Sequence, residues 1–289
     1  MLFLRPRRSA LYMPGSNARA IEKARSLAAD VLILDLEDAV APEAKAVARR
    51  QVCDAVSSRT FGSREVVVRI NALSTPWGRD DLEAVALAKP DAVLLPKVDR
   101  AGDVIHVQAA LDASACPAAV SLWAMMETPR AVLDALAIAE AALGPAPRLG
   151  AFVVGTNDLL KDTRMRAAPG RTPLVPWLTT LVAAARACGL AILDGVYNVL
   201  DGDGLSIECA QARDLGMDGK TLIHPRQIEP CNAAFAPSAT ELAWARKVVS
   251  AFGAPANAAR NVVQVDGQMV ERLHLAAARR DLAAAEIER

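Results

Sequence analysis

Val31-Leu32-Ile33-Leu34-Asp35-Leu36 is a short run in which a single acid interrupts five aliphatic side chains, and a longer helix-like pattern follows it. Seven more runs share that character, at residues 9–13, 65–70, 92–95, 120–126, 149–154, 190–193 and 220–223. Consecutive runs start 22 to 41 residues apart. Each gap has room for one amphipathic helix and two loops, the βαβ unit of a parallel sheet. The expected helices have plausible starts: residues 17–29 follow Pro14-Gly15-Ser16 with Ser16 as the cap, and residues 43–56 begin just after Pro42. Residues 129–142 carry Pro129 in their first turn.

Eight such units predict an α/β chain folded as a (β/α)8 TIM barrel over residues 1–233. A doubly wound open sheet is the competing architecture. It commonly carries GxGxxG after its first strand, and Pro14-Gly15-Ser16-Asn17 lacks that spacing. Residues 234–289 exceed what a barrel needs. They are expected to form a helix over 238–252, a Gly/Pro/Asn joint at 253–257, and a strand-like turn plus helix over 262–287.

Composition narrows the function. The 33 basic and 33 acidic residues cancel, without the basic excess of a protein that binds nucleic acid or an anionic membrane. Hydrophobic residues at 53% and charged ones at 23% suit a soluble enzyme and exclude wholesale disorder. A chain of 289 residues buries roughly 75% of its unfolded surface, so no disulfide or metal staple is needed. The five cysteines are never closer than 21 residues, which excludes CxxC motifs and points to reduced thiols. The N-terminus has too few apolar residues before Arg5 and Pro6 for a signal peptide, and no apolar stretch is long enough to span a membrane. A cytoplasmic protein is expected.

In a barrel, chemistry gathers where the strands end and the βα loops converge. Polar residues close most of the runs: Asp35, Glu37 and Asp38; Arg69 and Asn71; Lys97; Glu127; Asn157 and Asp158; Asp194; His224. Glu127 and Asp158 close neighbouring strands. Two carboxylates about 4 Å apart repel by roughly 4 kcal/mol at an effective dielectric of 20, so they call for a cation or a shared proton. Two hard oxygen ligands with room for water suit Mg²⁺. The structural alternative is that Asp158 caps the next helix while Glu127 pairs with an arginine.

In Asp35-Leu36-Glu37-Asp38, strand alternation sends Asp35 and Glu37 to one side and Leu36 and Asp38 to the other. Some of these acids can orient Arg69 and water; Asp38 is equally an acid favoured by a helix dipole. Arg69 closes an otherwise apolar strand and needs an anion: a site carboxylate, a substrate carboxylate, a developing oxyanion, or simply Glu37 as a structural partner. Lys161, Arg164, Arg166 and Arg171 form a charge run that suits phosphates but reads first as a solvated face. His106 and His274 lie in helical patterns and read as structural.

At these motifs the sequence resembles the citrate lyase beta subunit family and its malyl-CoA, methylmalyl-CoA and citramalyl-CoA lyase relatives. The resemblance runs from Arg8-Ser9-Ala10-Leu11-Tyr12-Met13-Pro14-Gly15 to Met269. It includes Leu34-Asp35-Leu36-Glu37-Asp38, Val68-Arg69-Ile70-Asn71, Leu95-Pro96-Lys97, Met126-Glu127-Thr128-Pro129, Gly155-Thr156-Asn157-Asp158, Asp194-Gly195-Val196-Tyr197 and Gly219-Lys220-Thr221 through Ile228. It implies a (β/α)8 barrel, commonly a homotrimer, that binds Mg²⁺ and makes or breaks a C–C bond beside a thioester.

By the match, Glu127 and Asp158 are the metal ligands. Arg69, Pro96, Lys97 and Asn157 face the substrate, and Arg69, Glu37, Asp38 and Glu271 are the catalytic candidates. In the lyases resembled, an aspartate in a C-terminal Gly-x-Met-Ile-Asp lid from a neighbouring subunit is the acid/base. Here the segment reads Gly267-Gln268-Met269-Val270-Glu271-Arg272, so Glu271 stands in the aspartate's position and the usual following proline is absent.

The expected function is therefore a Mg²⁺-dependent lyase that splits malyl-CoA or citramalyl-CoA into acetyl-CoA and a 2-oxo acid. Three readings compete with it: a (3S)-malyl-CoA thioesterase using the same site, a non-catalytic acyl-CoA-binding barrel, and a citrate lyase beta subunit acting on a citryl group borne by an acyl carrier protein.

Overall fold

A computed structural model describes residues 5–200, 202–257 and 259–287. Eight parallel strands close into a barrel in chain order: β1 Ser9–Pro14, β2 Val31–Asp35, β3 Glu65–Arg69, β4 Ala92–Leu95, β5 Ser121–Met126, β6 Leu149–Val154, β7 Ala191–Asp194 and β8 Gly219–Leu222. The circle closes where β1 pairs with β8, Ser9 lying opposite Lys220. A (β/α)8 barrel is thus the fold.

The helices between strands are α1 Ala18–Ala24, α2 Lys45–Ser57, α3 Gly78–Ala88, α4 Ala101–Ala113, α5 Pro129–Leu133, α6 Ala135–Glu140, α7 Thr156–Thr163, α8 Val175–Ala187 and α9 Gly204–Asp214, with α10 Ile228–Phe235 after β8. Side chains alternate across each strand, and one set packs together as a cluster: Ala10, Val31, Ile33, Val67, Leu94, Trp123, Met125, Val153 and Leu193 among them. That cluster fills the barrel. Trp123 is wholly buried within it, with the Arg7 guanidinium 4.9 Å from its ring centre.

Two helices differ from expectation. The first stops at Ala24, and its cap is Asn17, whose side chain accepts from the Ala20 amide at 3.0 Å, in place of Ser16. The helix expected over 129–142 is broken: Thr128 caps α5, and Asp134 leaves helical geometry (φ −97°, ψ 10°) before α6 begins.

Arg7–Ala234 forms one compact unit, and residues from Phe235 onward, with residues 5–6, belong to a second. The second holds α11 Ala239–Gly253, the antiparallel pair β9 Val262–Val265 and β10 Gln268–Glu271, and α12 Arg272–Ile287. Ser238 and Glu241 cap α11 reciprocally. Asp266 (φ 48°) and Gly267 (φ 80°) supply the two positive φ values of a tight hairpin turn. Val248, Phe252, Val263, Val265, Val270 and Leu275 give this unit its own core. Among the described residues, no helix is long and apolar enough to cross a membrane.

Candidate active site

The register of β2 on β3 sets Asp35 opposite Arg69 at the C-terminal ends of both strands. Arg69 Nε donates to Asp35 Oδ1 at 2.7 Å and Nη2 to Oδ2 at 2.6 Å, a bidentate fork between two buried side chains. Its guanidinium also lies 4.8 Å from the Tyr12 ring centre. Asp35 is therefore Arg69's main partner, ahead of the Glu37 pairing weighed from sequence.

Nη1 is the looser end of the guanidinium. It approaches Glu37 Oε2 at 2.9 Å, but that oxygen accepts no aligned hydrogen bond, so the contact is one of charges. Nη1 also reaches Asp38 at 3.4 Å. Asp38 was expected on the opposite side from Glu37. It joins the same cation because β2 ends at Asp35 and the chain bends there, so strand alternation no longer applies. Burial pushes the Glu37 carboxyl up to about 8, with Arg69 pulling it the other way and Asp38 and Glu127 adding to the rise.

Lys45 holds this acidic turn from below. Its ammonium donates to the carbonyls of Leu36 and Glu37, both at 2.8 Å, and to Asn71 Oδ1 at 2.7 Å. Asn71, expected with the mouth residues, is instead part of this scaffold, donating to Leu36 O and Asp81. Sequence reasoning missed Lys45, and its signal was weak: one lysine at the start of an ordinary amphipathic helix.

On the other side of the mouth, Glu127 follows β5 and is buried. Its Oε1 accepts from the Lys97 amide at 2.8 Å, while Oε2 is buried with no hydrogen-bond partner. Burial raises its pKa, opposed by Lys97. Gly155, at the end of β6, leaves the space this carboxylate occupies, since a Cβ there would lie 2.4 Å from Glu127 Cβ and 2.6 Å from Oε2.

Asp158 sits in the first turn of α7 but makes no side-chain cap. Its Oδ1 is 2.7 Å from Lys97 Nζ, which also stands 3.4 Å from Glu127 Oε1. Neither structural alternative weighed from sequence, a helix cap for Asp158 or an arginine for Glu127, describes this arrangement. The cation between the two acids belongs to Lys97, held with φ 53° in the left-handed region. Pro96 beside it is buried, and Asn157 is exposed and paired with Asn198 at 2.8 Å.

Tyr12, Asp35, Glu37, Asp38, Arg69, Lys97, Glu127 and Asp158 thus converge, five carboxyl groups around two cations. An orphaned buried oxygen and an acidic excess suit a further cation with hard-oxygen preference. Among the described residues, no group of three or more metal-ligating side chains forms a complete cage. Two carboxylates match Mg²⁺, which keeps several waters and fills its shell with substrate oxygens.

Three strand-end residues turn elsewhere. Asp194 is buried against Lys220, at 2.7 Å, and Arg171, at 2.8 Å to both its oxygens; Glu208 completes the group 3.0 Å from Lys220. Burial would raise Asp194, but these two cations hold it below the usual carboxylate range. Arg171 thereby leaves the solvated run, in which Lys161, Arg164 and Arg166 remain exposed. His224 Nδ1 accepts from the Arg226 amide at 3.1 Å as a local cap. Glu271, in the second unit, is exposed at the end of β10, its amide donating to His274 Nδ1 at 2.9 Å.

Residues 8–225 match the family model described as HpcH/HpaI aldolase/citrate lyase. The chain belongs to this family. A relative named (3S)-malyl-CoA thioesterase, from Cereibacter sphaeroides, is 48% identical over 97% of this chain and 95% of its own. The citrate lyase subunit beta of Escherichia coli is 37% identical over 98% and 94%. The solved structure of protein CitE from Mycobacterium tuberculosis, in complex with magnesium, acetoacetate and coenzyme A, matches with a TM-score of 0.79 at 33% identity, covering 99% of this chain and all of that one. This HpcH/HpaI family member thus sits among enzymes named as a thioesterase and as lyase subunits.

Proposed function

We propose that this protein is a Mg²⁺-dependent hydrolase of a short 3-hydroxydicarboxyl-CoA thioester of the (3S)-malyl-CoA type. The observation that carries the choice of hydrolysis is the 48% likeness, over nearly the whole chain, to malyl-CoA thioesterases. The metal rests on the Glu127–Asp158 pair with its unpartnered oxygen, and on the magnesium named in the CitE complex.

Glu127 and Asp158 would hold the ion. When bound, it would polarise and orient the oxygens of the hydroxy-acid end of the substrate. Asp35 fixes two nitrogens of Arg69 and leaves Nη1 to donate to the thioester oxygen as negative charge builds there. Water attacks the thioester carbon, the C–S bond breaks, and the products are free CoA thiol and the hydroxy diacid. Glu37, beside Nη1 and pushed by burial up to about 8, acts in its deprotonated form: it takes the proton from that water and returns one to the departing sulfur, a step that gains as the pH rises towards 8. The Pro96–Lys97 turn and Asn157 border the acyl group, and Asp38 screens the outer side of Arg69.

The second reading is the lyase, favoured by the 37% likeness to a citrate lyase subunit. The C–C bond beside the thioester then breaks, and Glu271, lent by a neighbouring subunit of a homotrimer, protonates the enolate carbon. Incubation with (3S)-malyl-CoA and Mg²⁺ separates the two. Free thiol with malate is the expected result; acetyl-CoA with glyoxylate identifies the lyase. No Mg²⁺-dependent turnover of malyl-CoA or citramalyl-CoA, with Glu127→Gln as the control, would overturn both.

A further inference from the structure

Lys97 stands where a cation bound to Glu127 and Asp158 would compete with it. Its Nζ lies 2.7 Å from Asp158 Oδ1 and 3.4 Å from Glu127 Oε1. The same residue's amide donates to Glu127 Oε1 at 2.8 Å. Backbone and side chain therefore address the pair separately. The amide is fixed by a left-handed turn, while the ammonium ends a flexible four-carbon stem. Burial divides the partners too: the Lys97 side chain is 37% exposed and has a way out, whereas that of Glu127 is 1% exposed and has none.

We propose that the Lys97 ammonium is a built-in stand-in for the divalent ion, bridging Glu127 and Asp158 in the metal-free protein and swinging out when metal binds. The inference rests on the metal reading of this pair. Two like charges, one just after β5 and the other in the first turn of α7, would repel without a metal between them, and a tethered monovalent cation relieves that. A single ammonium leaves Glu127 Oε2 without a donor, so the substitution is incomplete and a divalent ion can displace it. The amide on Oε1 stays in place during the exchange and keeps Glu127 aimed. Metal affinity is thereby set by competition: each ion bound must first release an ion pair, which keeps the metal exchangeable.

The test is calorimetric titration of Mg²⁺ into chelator-stripped wild type, Lys97→Met and Lys97→Arg, with thermal melts of each before and after metal. Methionine keeps the stem and the left-handed backbone demand while removing the charge. Lys97→Met is expected to bind Mg²⁺ on the order of tenfold more tightly, the scale of one partly exposed ion pair plus the removed repulsion. Its metal-free melting temperature should fall, and its gain on adding Mg²⁺ should exceed that of wild type. Lys97→Arg should stay near wild type. Equal or weaker Mg²⁺ binding by a folded Lys97→Met overturns the inference and makes Lys97 a support for the bound ion.

Amine footprinting of wild type by mass spectrometry needs no variant to fold. Mg²⁺ should raise the acylation rate at Lys97, and protection or no change counts against displacement. If wild type binds no Mg²⁺ at all, the metal reading itself falls, a result distinct from wild-type binding that Lys97→Met fails to strengthen.

Discussion

Arg69 and Asp35, on neighbouring strands, share a two-point ion pair of 2.7 and 2.6 Å with both side chains buried. Such a pair adds little net stability over an apolar replacement, but removing one partner strands the other charge without solvent. Asp35→Leu should therefore destabilise the protein by about 3 kcal/mol or more. For a domain of this size that corresponds to a fall in melting temperature of roughly 6 °C or more. Glu37 and Asp38 remain near Nη1, so part of the charge stays compensated and the chain should still fold. A melt within a degree of wild type would mean that this pair is not what anchors the arginine.

Gly155→Ala probes the other half of the mouth. The added Cβ would meet Glu127 Cβ and Oε2 at 2.4 and 2.6 Å, and the buried carboxylate has nowhere to withdraw. Mg²⁺ affinity should fall by at least tenfold while the far-ultraviolet circular dichroism of the barrel is kept. Titration calorimetry reads the first and a spectrum the second. Unchanged affinity would separate Glu127 from the metal.

The Glu37 carboxyl gives the metal-free protein a pH dependence of definite sign. Burial raises it from 4.5 to about 8, so between those values the folded state holds a proton that the unfolded chain has lost. Stability contributed by this group is complete below about 4.5 and declines as the pH rises towards 8. In Glu37→Gln that decline should disappear. Denaturant unfolding of chelator-treated wild type and variant at pH 5 and pH 8 measures it, and parallel slopes would show that Glu37 titrates normally.

The barrel and half of this site were legible in the chain. Short apolar runs such as 31–36, separated by helix-length gaps, permit few other folds, and Glu127 and Asp158 follow strands that must be neighbours in a barrel built in chain order. What stayed hidden depends on register and backbone torsion. Lysine has no preference for the left-handed region, so the Lys97 turn leaves no trace in composition. Asp194 read as a mouth residue because it ends an apolar run. Register sets it beside Lys220, which read as the first residue of another, and it turns to that lysine and to Arg171. The break at Asp134 likewise falls in a stretch whose periodicity continues unaltered.

That quartet of Asp194, Lys220, Arg171 and Glu208 yields the last expectation. Its charges balance in pairs, it shares no hydrogen bond with Glu127, Asp158 or Arg69, and Arg171 also donates to Gln211 at 2.9 Å. Arg171→Met leaves two acids facing one buried ammonium and should cost about 3 kcal/mol. Removing one acid as well, in Arg171→Met/Asp194→Asn, restores the balance, and the double variant should be more stable than the sum of the two single changes predicts. Mg²⁺ affinity should be the same in all three variants. Chemical unfolding across the double-mutant cycle, paired with calorimetry, tests both halves of the argument: additive losses would deny the coupling, and a shifted Mg²⁺ affinity would tie these buried charges to the mouth.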